Sequence, residues 1–155
     1  MRENIAEAVK AAMKSGDKRR LGTLRLIQAA IKDRDIAARV DAKGQATGLE
    51  KIDDAELLQL LQKMIKQRRE SAKLYTEGGR PELAAQEEAE IDIINEYLPK
   101  QMTEPEVNAA VDQVVAELGA SGLKDMGRTM ATLKERYAGR MDFAKASGAV
   151  KAALT

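Results

Sequence analysis

Apolar residues in this chain recur at three- and four-residue intervals, the spacing that gathers them on one side of a helix, and no stretch alternates as a strand does. Ile5, Ala8, Val9, Ala12 and Met13 form the first such face and predict a helix over roughly residues 3–14. Ser15-Gly16 ends it, and Asp17 stands where it can cap a second helix to about residue 39 that buries Leu21, Leu24, Ile27 and Ile31. Residues 41–52, with Gly44 and Gly48, read as a mobile loop. Asp53, with Glu56 three residues later, opens a third helix whose stripe is Leu57, Leu61, Met64, Ala72 and Tyr75, with Leu58 and Ile65 beside it. Gly78-Gly79 stops it. Pro81 opens a fourth, carrying Leu83, Ile91, Ile94 and Leu98.

The pattern then breaks and restarts. Tyr97-Leu98-Pro99 ends the fourth helix, because proline disfavours helix in the residue before it and brings no N–H. Thr103-Glu104-Pro105-Glu106 begins the next as a Thr-x-x-Glu capping box with proline in the first turn. That helix buries Val107, Ala110, Val111, Val114 and Leu118 and breaks at Gly119–Gly122. Asp125 stands to cap another, with Met126, Met130 and Leu133 inward, and Asp142 a last one, with Phe143, Ala146, Val150 and Leu154 inward. The expectation is an all-α protein in two domains. Residues 1–99 form an N-terminal helical bundle or hairpin, and residues 100–155 a small bundle of about three helices.

Composition sharpens this picture. One Phe, three Tyr and no Trp leave a core of Leu, Ile, Val, Met and Ala, and Met102, Met126, Met130 and Met141 read as gap-filling core. With neither cysteine nor histidine, the chain offers no disulfide, thiol nucleophile, imidazole base or common zinc site. No metal or cofactor is expected. The start, Met1-Arg2-Glu3-Asn4, leads directly into an amphipathic helix, and no apolar run approaches a membrane span, which points to a cytoplasmic protein without membrane contact. Net charge is +1, but unevenly spread: residues 1–80 carry 18 Lys/Arg against 12 Asp/Glu, and residues 81–99 carry six acids and no base.

Several segments together resemble the GatB/YqeY family. They are Leu24-Arg25-Leu26-Ile27-Gln28-Ala29-Ala30-Ile31-Lys32, Lys66-Gln67-Arg68-Arg69-Glu70-Ser71, Gly79-Arg80-Pro81-Glu82-Leu83, the junction from Tyr97 to Glu106, and Lys124-Asp125-Met126-Gly127-Arg128-Thr129-Met130. In this order and spacing, over nearly the whole chain, they are similar to a free-standing YqeY-like protein. The family also includes the tail domain of the glutamine-dependent aspartyl/glutamyl-tRNA amidotransferase, carried on its GatB component. The resemblance implies two helical domains, the second similar to a tail that grips tRNA while chemistry happens elsewhere. It also carries the family's label of carbon–nitrogen ligase with glutamine as amido donor. Gly139-Arg140-Met141-Asp142-Phe143 departs from the small residues usual around that aspartate. Met141 and Phe143 either impede approach of a nucleic-acid backbone or belong to the core.

Four groups of charges are candidate sites, each with a sharp and a bland reading. Lys18, Arg25, Lys32 and Arg39 recur every seven residues and span roughly 31 Å of helix, a spacing suited to a phosphate backbone. The same row also reads as a solvated face with Asp35 pairing to Lys32 or Arg39. Lys63, Lys66 and Lys73 share a face of the third helix, where Glu87, Glu88 or Glu90 of the fourth are their expected partners. Lys124, Arg128, Lys134, Arg136 and Arg140 surround Gly127, Gly139 and a helix start, a setting that favours anions unless Asp125 fills it as a cap. Gly127 inside a helix costs about 1 kcal/mol relative to Ala, which close packing against a neighbouring helix or a ligand would justify. The fourth group, the carboxylates Glu87, Glu90 and Asp92, lacks any readable apolar cleft, and Ser71 beside Lys73 lies mid-helix, so no standalone catalytic site is expected.

The nucleic-acid-binding set is accordingly Lys124, Arg128, Lys134 and Arg140, with Arg25 and Lys32 on the second helix. Two functions follow. One is an accessory protein that binds tRNA or other structured RNA. The other is a module that docks on a tRNA-handling enzyme through the acidic fourth helix.

Overall fold

Asp17, Asp53, Thr103 and Asp142 each accept a hydrogen bond from a backbone N–H of the helix they precede, and these four caps set most of the architecture. In the computed structural model, which describes residues 1–155, the helices are α1 (Arg2–Ser15), α2 (Lys18–Ala38), α3 (Asp54–Glu77), α4 (Pro81–Asn95), α5 (Glu104–Leu118), α6 (Met126–Arg136) and α7 (Phe143–Leu154). A 3₁₀ turn over Leu123–Asp125 precedes α6, and there is no strand, only an isolated bridge between Val40 and Ala46. The fold is all-α. No helix is long and apolar enough to cross a membrane.

The chain divides into two compact units, Met1–Leu98 and Pro99–Thr155, and no helix runs through residues 98–103. In the first unit, α3 and α4 form an antiparallel pair joined at Gly78-Gly79, where Gly79 takes the positive φ of 74° that the tight reversal needs. Its core gathers Ile5 and Ala12 of α1, Leu24, Ile27 and Ile31 of α2, Leu57, Leu61, Met64 and Ile65 of α3, and Ile91 and Ile94 of α4. Leu60, Ala72 and Ala84, together with Thr23 and Asp35, are also buried. Met13, expected on the inner face of α1, is 54% exposed. It lies at the outer edge of the apolar arc, where the Arg25 guanidinium meets its sulfur at 3.8 Å.

The segment expected to be a mobile loop carries its own hydrogen bonds. The Asp41 carboxylate accepts from the N–H groups of Lys43 and Gln45, and the Thr47 N–H donates to the Arg39 carbonyl. Ile52, at its end, is buried in the core.

The second unit packs α5, α6 and α7 around Ala110, Val111, Val114, Leu133, Met141, Ala146, Val150 and Leu154. Thr129 is fully buried among them, its hydroxyl donating to the Asp125 carbonyl four residues back. Met141 is 1% exposed and Phe143 packs against the same core, so this departure from the family pattern fills the interior. The capping box of α5 is complete: Thr103 Oγ1 accepts from the Glu106 N–H, and the Thr103 N–H donates back to the Glu106 carboxylate.

Candidate nucleic-acid interface

The start of α6 is built differently from the other capped helix starts. Asp125 occupies the capping position, yet its side chain makes no capping hydrogen bond. It accepts instead from the Ser121 N–H at 2.8 Å and from Arg128 Nε at 3.0 Å. The Ser121 N–H, followed by the Arg128 guanidinium, holds the Asp125 carboxyl below its ordinary pKa. The expected cap instead closes the turn before the helix; no side chain caps α6, and the Met126 N–H donates to the Leu123 carbonyl of the preceding 3₁₀ turn. Gly127 lies in that first turn, exposed, with nothing within 4 Å of where a Cβ would stand. Close packing against a neighbouring helix does not account for this glycine.

The other cations of the second unit divide by what holds them. Lys124 is exposed beside Asp125, and Lys134 is exposed with no carboxylate in ion-pair range. Arg136 is paired with Glu117 of α5 at 2.6 Å. Arg140 is half-buried at the start of the unit: its carbonyl accepts from the Met102 N–H at 2.7 Å, and its Nε reaches the Lys100 carbonyl at 3.5 Å. Its charge falls on Glu106, whose carboxyl is held low first by the Thr103 hydroxyl. The structure therefore brings Lys124 and Arg128 together at Asp125, and sets Arg140 with Lys100 near Glu106. Lys134, six residues beyond Arg128, lies about 120° around α6 from it.

Between Gly119 and Thr155 the chain holds seven cations against three carboxylates. Two of the three, Asp125 and Asp142, are occupied by internal hydrogen bonds. This α6–α7 portion is a net source of positive field.

In the first unit, Lys18, Arg25, Lys32 and Arg39 are all exposed, and none is within ion-pair distance of a carboxylate. The local pairing to Asp35 does not form. Asp35 is turned inward, where Arg2 takes both its oxygens and the Ile52 N–H donates at 2.9 Å. Nor do Lys63, Lys66 and Lys73 bridge α3 to α4. That bond is made by Arg68, whose Nε donates to Glu90 at 2.8 Å while its Nη1 donates to the Met64 carbonyl. Arg68 lies on the half-buried flank facing α4, whereas the three lysines are exposed.

On the acidic fourth helix, Glu90 is paired with Arg68, and Glu96, just past the helix end, with Arg20 of α2. Glu87 is partly buried, and its carboxyl is pushed up by that burial and then by Glu90. Glu82, Glu88 and Asp92 are exposed. A shallow groove of about 660 Å³ runs between α3 and α4, with Arg69 and Lys73 on one wall and Glu88 and Asp92 on the other. Sequence reasoning missed the roles of Arg2 and Arg68 and gave Asp35 the wrong partners, because each pairs with a residue at least 22 positions away.

The chain is thus an all-helical protein of two units, the second opened by a complete capping box. Residues 2–154 match the family described as Yqey-like protein. The chain belongs to that family. It is also 32% identical over 120 residues to Altered inheritance of mitochondria protein 41, mitochondrial, of Lachancea thermotolerans. The aligned stretch covers 76% of this chain and 59% of that relative, so the chain spans about three-fifths of the relative's length.

Proposed function

We infer that this YqeY-like protein is an accessory protein that binds tRNA or another structured RNA through its second unit, without a catalytic site of its own. The reading rests above all on the start of α6. It is a helix N-terminus that no side chain caps, open at Gly127 and flanked by Lys124 and Arg128. Backbone N–H groups and the positive end of the helix dipole attract a phosphate there, and lysine adds charge without demanding sequence. The excess of cations over α6 and α7 extends the attraction to neighbouring phosphates. Lys124 and Arg128 form the centre of this surface, Lys134 lies along α6, and Arg140 supports the loop through its backbone.

The resemblance to the amidotransferase tail supports this role, because in that enzyme the tail is the part that holds tRNA. Cytoplasmic location is part of the same proposal. A second reading is a module that docks on a tRNA-handling enzyme through the acidic fourth helix, on which Glu82, Glu88 and Asp92 stay exposed. The RNA reading is tested by fluorescence anisotropy with labelled bulk tRNA across a salt series. Binding at micromolar protein in low salt is expected, with log K falling by about 0.9 per duplex phosphate neutralised. Absence of binding at low salt refutes it.

A further inference from the structure

α2 carries apolar residues on two opposite faces. The inner one holds Leu24, Ile27 and Ile31 in the core. The outer one, centred about 180° away at 100° per residue, runs Gly22, Leu26, Ala29, Asp33 and Ile36. These steps alternate four and three, which is the seam spacing of a helix that receives another helix. Leu26 is 50% exposed and Ile36 49%, and nothing in the first unit covers them. At Gly22, in the second turn, nothing lies within 4 Å of a would-be Cβ, which leaves a notch where a second backbone can approach closely. Beside the seam, displaced by about 60°, runs the row Lys18, Arg25, Lys32 and Arg39, free of carboxylate partners.

We propose that this outer face of α2 docks an acidic amphipathic helix of a partner protein. Spacing selects a helix, and charge selects its sign: leucine-like residues fill the seam while carboxylates on the partner's flank neutralise the unpaired row. Competing occupants satisfy only part of the surface. A phosphate backbone would use the row but gain nothing from Leu26 and Ile36. A lipid surface would find no aromatic anchor on this face. A second copy of α2 would bring two cationic rows together. The site shares no residue with the start of α6 and does not depend on the RNA reading.

The test uses the full chain and a fluorescein-labelled 21-residue helix with leucine along its seam and glutamate on both flanks. A counterpart with lysine on the flanks is the control. The glutamate peptide is expected to bind at least tenfold more tightly than the lysine peptide. Leu26→Asp with Ile36→Asp should weaken it tenfold or more at unchanged helical content and thermal midpoint. Arg25→Glu with Lys32→Glu keeps the seam and should reverse the preference between the peptides, which decides the matter even if the first variant folds poorly. Lys124→Ala with Lys134→Ala should leave peptide binding unchanged.

Equal binding of both peptides, or no binding of either, overturns the proposal. So does any of three other results. The first is binding to phosphatidylserine-containing vesicles that Leu26→Asp with Ile36→Asp abolishes. The second is tRNA binding that the charge reversal abolishes and the seam variant spares. The third is a concentration-dependent dimer that the seam variant dissolves.

Discussion

Arg2 and Asp35 hold each other through two parallel hydrogen bonds of 2.8 Å, Nη1 to Oδ2 and Nη2 to Oδ1. The same Nη2 reaches the Ile52 carbonyl at 3.1 Å, and Asp35 accepts from the Ile52 N–H. One bidentate pair thus ties α1 and α2 to the residue that leads into α3. A fork-to-fork pair uses both carboxylate oxygens, which is why Lys32 and Arg39 find no partner in Asp35.

The pair should make the first unit sensitive to acid. The Arg2 guanidinium, helped by the Ile52 N–H and opposed by burial, holds the Asp35 carboxyl at about 2, against an ordinary value of 3.8. Because the folded value is depressed, the stabilisation is full above about pH 4 and is lost as pH falls towards 2. The shift corresponds to roughly 2 kcal/mol. Asp35→Asn should lower stability near neutrality by roughly 2–4 kcal/mol, since it removes a charge partner of a partly buried arginine. Urea unfolding from pH 7 to pH 2 should show the gap between the two proteins closing between pH 4 and 2. A gap independent of pH would mean that the ion pair is not its source.

Arg68, not the exposed lysines, should carry the electrostatic stability of the α3–α4 pair. Its side chain is only 14% exposed, and it stands between Glu90 and the partly buried Glu87. Without it, two neighbouring carboxylates face each other unneutralised. Arg68→Ala is expected to cost about 1–2 kcal/mol, and Lys63→Ala, Lys66→Ala or Lys73→Ala each less than about 0.5 kcal/mol. Thermal unfolding of the four variants checks the ranking. Equal costs would restore the lysines as the bridge.

Met141 should prove to be a core residue despite its place in a loop. It is 1% exposed and packs with Leu133, Val150 and their neighbours. Met141→Ala is expected to lower stability by about 2–4 kcal/mol, with amide exchange accelerated in α5–α7. Unchanged protection there would place the side chain outside the core.

Local chemistry explains how much of this was legible. Helix starts at Asp17, Asp53, Thr103 and Asp142 follow from residues within one turn, so the sequence displays them directly. The inner faces of α3, α5 and α7 are similarly visible, because apolar residues lie mainly on one side. α2 hides its second face, since Leu26 and Ile36 outside offset Leu24 and Ile27 inside and blur the period. Ion pairs were the least readable. Asp35 had plausible cations at three and four residues and took one thirty-three away, and Asp125 looked like a cap yet turned back to Ser121. Charge periodicity shows where cations lie along a helix, while the tertiary fold decides which of them are left over.

That distinction sets the last expectation, which separates the cations of the second unit by role. Lys124 and Lys134 are exposed and outside any ion pair, so replacing both by Ala should weaken tRNA binding while stability changes by less than about 0.5 kcal/mol. The salt slope should fall by about one unit for each phosphate no longer neutralised. Arg128→Ala removes the partner of Asp125 and, on the RNA reading, a phosphate ligand as well, and should weaken binding more than either lysine alone. Arg140→Ala should affect binding less, because its fixed contacts are made by its backbone and by a hydrogen bond to Lys100. Gly127→Ala is the sharpest probe. The site is open and its backbone helical, so alanine should stabilise the fold by about 0.5–1 kcal/mol. If a phosphate sits against this first turn, the added methyl group should nevertheless weaken tRNA binding. A variant that is both more stable and equally tight would move the phosphate away from the start of α6. Loss of binding on Arg25→Ala with Lys32→Ala, with the second-unit variants unaffected, would move it to α2.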